Sequence, residues 1–144
     1  MEKLYVSPEE ALHQAHVALL EELRDLEEAV RRTPGPGPGE MILRLEALGE
    51  IITDHFRFEE QDGYMSAVRQ LEPHREHEVQ QLQDEHSQLA EALDGLTREA
   101  RAAETLHRSY WENLRAWVAQ VRHHEAAENR LVQVTFNQDI GTKD

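Results

Sequence analysis

The stretch His55-Phe56-Arg57-Phe58-Glu59 decides how this chain is read, because it sets a histidine and a glutamate four residues apart inside an apolar helical run. Residues four apart on an α-helix share a face, about 6 Å apart along the axis. Outward from the pair, Leu45, Leu48 and Ile52 recur at the spacing of a core stripe. The imidazole and the carboxylate therefore point where leucine is expected. The arrangement returns at His124-Glu125-Ala126-Ala127-Glu128, preceded by Leu114, Trp117 and Val121 and followed by Leu131. Burying a carboxylate without a partner is costly, so two inward pairs ask for a shared cation.

The composition narrows the alternatives. At 144 residues the chain is expected to form one domain, with a core of about 8–134. A net charge of −14 argues against nucleic acid and anionic membrane as partners, since both require clustered Lys or Arg. The absence of cysteine excludes disulfides, thiolate metal sites and cysteine nucleophiles. No apolar run approaches a membrane span, and Met1-Glu2-Lys3-Leu4-Tyr5 lacks a signal-peptide core, so a cytoplasmic location is expected. Nine histidines are the compositional oddity.

A first helix opens at Ser7-Pro8-Glu9-Glu10, with Ser as N-cap, Pro at the first position and Glu at the third. Its stripe reads Leu12, His16, Leu19, Leu20, Leu23, Leu26, Val30, and it is expected to run to about Arg32. Thr33-Pro34-Gly35-Pro36-Gly37-Pro38-Gly39 reads as a loop. A second helix follows from about Glu40 to the mid-60s, ended or bent at Asp62-Gly63. A third begins near Pro73 and stops at Gly95, and a fourth runs from Thr97 or Arg98 to about Val134, leaving a frayed tail over Asn137–Asp144. No stretch alternates long enough to be a strand. The expected fold is all-α, an antiparallel up-down-up-down four-helix bundle.

In such a bundle the C-terminal parts of the second and fourth helices lie beside the N-terminal halves of the first and third. Those halves offer His16 and His86, each with leucines at +3 and +7. His16 to His55 is 39 residues and His86 to His124 is 38, each pair followed by Glu at +4, Glu59 and Glu128. The spacing describes an internal repeat of two hairpins about a pseudo-twofold axis. His74 with Glu78 is a rival pair whose glutamate shares the leucine stripe, but His74 lies about 18 Å along the axis from His86. His77 is about half a turn round from His86. His13 and His123 flank His16 and His124 and are read at the stripe edge or surface, with ligation by His13, His77 or His123 left open. His107, about 25 Å from His124, is read as a core or boundary residue.

Imidazole with carboxylate and no thiolate suits iron, manganese or zinc. Six side chains are more than one tetrahedral zinc uses, and two glutamates can each bridge two ions. Four imidazoles and two bridging carboxylates leave coordination positions open for water, O2, peroxide or NO. The competing reading is a ligand-free bundle in which histidines donate to carboxylates.

The ordered set His16 within His-Val-Ala-Leu-Leu, His55-Phe56-Arg57-Phe58-Glu59-Glu60, Asp84-Glu85-His86-Ser87-Gln88-Leu89 and His124-Glu125-Ala126-Ala127-Glu128 resembles the hemerythrin-like, or HHE cation-binding, family. The resemblance implies two iron ions in an oxo- or hydroxo-bridged non-haem centre, spanned by Glu59 and Glu128 and completed by the histidines. The family's oxygen carriers have HxxxH on the third helix, where this chain has Leu82 four before His86. Carriers also place an Asp one residue beyond the position of Glu128. These departures favour O2, redox or iron sensing, or peroxide or NO chemistry, over reversible O2 carriage.

Two other functions compete. A ferritin-type di-iron oxidase uses ExxH motifs, which Glu10-Ala11-Leu12-His13 and Glu104-Thr105-Leu106-His107 match, yet these belong to opposite ends of an up-down bundle. A metal-free or zinc-bound helical module would use its acidic helices to bind a protein. The chain offers no room for a fused output domain, so a signal is expected to pass to a separate partner.

Overall fold

The computed structural model describes residues 7–32, 34–61 and 63–142, with the side chains of Pro8 and of residues 137–142 left out. Among the described residues there are only helices: α1 (Pro8–Arg31), α2 (Pro38–Gln61), α3 (Tyr64–Leu71), a 3-10 turn (Pro73–Arg75), α4 (Glu76–Ala102) and α5 (Arg108–Thr142). None is long and apolar enough to cross a membrane.

The N-terminal signal of α1 acts as its residues dictate, with Ser7 Oγ accepting from the Glu10 amide at 3.1 Å. Helix α2 starts at Pro38 rather than Glu40, because a proline at the first helical position has no amide to waste. Pro38 and Gly39, expected in the loop, are thus its first residues; Thr33 lies outside the described residues. At the other end α2 stops at Gln61, with Asp62 outside the description, and the chain turns at Gly63 into α3. This short helix, not foreseen as a separate element, buries Tyr64, Met65 and Val68.

The boundary between the last two long helices is the main correction. Helix α4 passes through Gly95 and ends at Ala102, so the connection is 103–107 and α5 starts at Arg108. A glycine inside a helix costs about 1 kcal/mol relative to alanine. Continuing the helix buries Leu96, Thr97 and Ala100, and one buried leucine alone is worth about 1.5–3 kcal/mol. The Tyr110 hydroxyl donates to the Leu96 carbonyl at 3.1 Å and the Trp117 indole to the Leu89 carbonyl at 3.0 Å, fixing the register of α5 on α4. The backbone of α5 continues to Thr142, beyond the end expected at Val134. The expected frayed tail lies outside the residues whose side chains are described.

Helix α2 packs along α4, α1 along α5, and α4 on α5. The apolar interior divides into two clusters. One runs from Leu19, Leu23 and Leu26 through Met41, Leu45, Leu48 and Ile52 to Leu89, Leu93, Leu114, Trp117 and Val121. The other joins Leu12, Tyr64, Met65, Val68, Val79, Leu82, Leu131 and Val132. Along α1 the clusters are separated by His16, along α4 by His86, and along α5 by His124 and Glu128. A polar layer is therefore held between two hydrocarbon layers.

Candidate metal centre

His16, His55, Glu59, His86, His124 and Glu128 all lie in that layer, none more than 8% exposed. The structure brings all six together. Their donor atoms form two overlapping groups, His16, His55, Glu59, Glu128 and Glu59, His86, His124, Glu128, with the atoms of each group within 4.8 Å of one another. The two glutamates belong to both. The first two long helices supply the histidines of one group and the last two those of the other, in keeping with the repeat in the sequence.

His16 Nε2 lies 3.2 Å from Glu59 Oε2 and 3.0 Å from Glu128 Oε1. His55 Nε2 lies 3.0 Å from Glu59 Oε2. On the other side, His86 Nε2 is 3.0 Å from Glu59 Oε1 and 3.2 Å from Glu128 Oε2, and His124 Nε2 is 3.2 Å from the same Glu128 oxygen. Yet Nε2 of His55, Nε2 of His124 and Oε1 of Glu59 have no aligned hydrogen-bond partner. These three atoms approach their neighbours closely without aligning on them, as ligands around a common point do, while His16 and His86 hydrogen-bond to the glutamates. Two donors each about 2.0–2.2 Å from one ion lie roughly 3 Å apart when perpendicular. The residues present therefore fit a pair of metal ions better than a self-satisfied hydrogen-bond network.

Groups behind the imidazoles support this. The Nδ1 atoms of His86 and His124 donate to Glu60 and Glu85, each at 2.6 Å, and that of His16 to Asn129 Oδ1 at 3.0 Å. A donating Nδ1–H leaves the neutral ring's Nε2 lone pair facing the centre, the tautomer a metal requires. The Phe56 ring stacks on His86 with centroids 3.9 Å apart. Tyr64, the first residue of α3, donates to Glu128 Oε2 at 2.7 Å. It arrives there because the chain turns tightly at Gly63, where a Cβ would stand 2.9 Å from the Glu59 Cα.

Without metal the cluster holds protons. Burial works against charged His16 and His86, but hydrogen bonds to Glu128 and Glu59 outweigh it and raise both to about 10. Burial likewise opposes the charge on His124, and its hydrogen bonds to Glu128 and Glu85 raise it all the same. Burial also opposes the charge on Glu128, yet its imidazole neighbours hold it well below the usual carboxylate range. Glu125 is pushed up to about 7, chiefly by burial.

The other histidines fall outside the centre. His13, His74, His77, His107 and His123 are exposed, so among the described histidines of α4 and its approach His86 alone reaches the buried cluster. His107, read as core or boundary, instead precedes α5, its carbonyl accepting from the Tyr110 amide at 3.0 Å. Glu78, placed on the leucine stripe, is exposed, and Val79, three residues before the buried Leu82, takes the inward position. The two ExxH pairs thus bring no histidine to the buried cluster.

Sequence reasoning gave no role to Glu60, Tyr64, Glu85, Glu125 and Asn129. Glu60, Glu85, Glu125 and Asn129 each adjoin one of the six in sequence, which was the available signal; nothing local marked Tyr64. A family model for the hemerythrin HHE cation binding domain matches residues 7–134. No curated protein and no solved structure matches the chain.

Proposed function

The chain belongs to the hemerythrin HHE cation-binding family, and from that premise we propose that it is a non-haem di-iron protein that binds or reacts with O2, peroxide or NO. The observation that carries this reading is the pair of overlapping donor sets sharing Glu59 and Glu128. Each ion would take two imidazole nitrogens and share two carboxylates, which leaves positions for a small ligand. Iron suits this donor set, and manganese or zinc would also be accepted by it. When bound, two iron ions supply electrons and open coordination sites.

The protein's own residues prepare that centre. Glu60, Glu85 and Asn129 orient three imidazoles through Nδ1. Tyr64 keeps a proton on its oxygen beside Glu128, since burial and the neighbouring carboxylates push its pKa far above the ordinary phenol value. Apolar layers on both sides exclude bulk water. The four long helices are read as an antiparallel up-down-up-down bundle forming a single domain over about 8–134. The contacts of His16, near the start of α1, with Glu59, near the end of α2, support that arrangement. The working role is O2, redox or iron sensing, or peroxide handling, in the cytoplasm, with any signal passed to a separate protein.

The test is to load the purified protein with iron(II) without air and record its optical spectrum before and after O2, peroxide or NO is added. New ligand-to-metal charge-transfer absorption with at least one of them is expected. Iron-loaded protein with an unchanged spectrum in all three would overturn the reading.

A further inference from the structure

Glu125 is a buried polar group that the six-residue set does not use. It is 3% exposed, and neither carboxylate oxygen has a hydrogen-bond partner. An unpartnered carboxylate at that depth costs several kcal/mol, which an apolar residue on α5 would avoid. Although next to His124 in sequence, it turns toward the opposite half of the centre. Its Oε2 lies 3.8 Å from Nε2 of His55, which itself lacks an aligned partner. That distance is too long for a hydrogen bond, but two donors of one ion at about 2.0–2.2 Å lie roughly 3–4 Å apart. The charged groups acting most strongly on it are His16, His55, Glu128 and Glu59, the members of the first donor group.

The second half is built differently. Its additional carboxylates, Glu60 and Glu85, stand behind His86 and His124 on Nδ1. Outside this half lies a groove of about 400 Å3 lined by Glu85, Gln88, Gln120, His123 and His124.

Resting on the di-metal reading above, we propose that Glu125 is a seventh ligand, terminal on the ion held by His16 and His55, so that exogenous ligands bind at the ion held by His86 and His124. The first ion then has two imidazoles and three carboxylates, and the second has two imidazoles and two carboxylates. The two ions are unequal, and the second is the open one.

The probe is manganese(II) alone. Anomalous scattering from manganese-loaded wild-type crystals is expected to place a Glu125 oxygen about 2.2 Å from the ion bonded to His16 and His55. Calorimetric titration is expected to show two ions per wild-type chain, with Glu125→Gln weakening one of them at least tenfold and leaving the other unchanged. Two ions bound as tightly in Glu125→Gln as in the wild type, or a Glu125 oxygen more than about 3 Å from both ions in the crystal, overturns the assignment and leaves the di-metal reading intact. Should Glu125→Gln not fold, the wild-type crystal decides. Wild-type protein that takes up no second ion overturns the di-metal reading, and this assignment with it.

Discussion

Tyr64 and Glu128 are joined by a 2.7 Å hydrogen bond from the phenol to Oε2, the same oxygen that lies 3.2 Å from Nε2 of both His86 and His124. The bond ties α3 to α5 and fixes one arm of a carboxylate shared by both donor groups. Tyr64→Phe removes the donor while keeping the ring. Loss of a hydrogen bond to a charged group is expected to cost about 1.5–3 kcal/mol of stability, read by urea unfolding of the metal-free protein. Metal affinity should fall about 10–100-fold, because the freed carboxylate is no longer oriented.

Substitutions should sort by group. His16→Ala or His55→Ala removes a donor from one set only, and His86→Ala or His124→Ala from the other. Each is expected to lose one tight ion and keep the second. Glu59→Ala or Glu128→Ala removes a donor from both sets, and should reduce the binding of both ions. Elemental analysis after gel filtration measures the difference.

The pH dependence follows from the protonated cluster. A histidine raised from 6.5 to about 10 contributes stability that is complete below pH 6.5 and lost as pH rises through about 10. Glu125, raised to about 7, favours its neutral form and acts in the same direction at lower pH. Glu128, lowered from 4.5, contributes stability above that value which is lost in acid. The metal-free protein should therefore melt at a lower temperature at pH 10 than at pH 7. Loading metal at pH 7 should release protons, since the ions need neutral imidazoles; an indicator dye in weak buffer would detect them.

Two glycines should respond oppositely to alanine. At Gly63 a Cβ would lie 2.9 Å from the Glu59 Cα and 3.0 Å from the Phe58 carbonyl oxygen, so backbone must move beside a shared carboxylate. Gly63→Ala is expected to destabilise by about 1–3 kcal/mol. At Gly95 the nearest atom a Cβ would meet is the flexible end of Arg98 at 3.8 Å. Gly95→Ala, inside α4, should stabilise by about 1 kcal/mol. Chemical denaturation of both variants is the check.

The six buried polar residues were legible because each interrupts a helical leucine stripe, and periodicity reports burial directly. The choice of His86 over His77 rested on the same rule, and His77 is exposed. Gly95 reads in the sequence as a C′ residue that ends the helix, but the burial of Leu96 and Ala100, which only packing reveals, outweighs the cost of about 1 kcal/mol of a glycine inside α4. Tyr64 could not be found by periodicity, since α2 ends at Gln61 and α3 begins anew at Tyr64, so the stripe of α2 does not carry across the break. Glu125 sits beside His124 in sequence but faces His55, a contact between distant segments that no local pattern announces.

The most direct test of the central claim is the number of metal ions per chain after equilibration with iron(II) and removal of excess. Two irons per chain are predicted, one for each donor group. One ion or none would contradict the account.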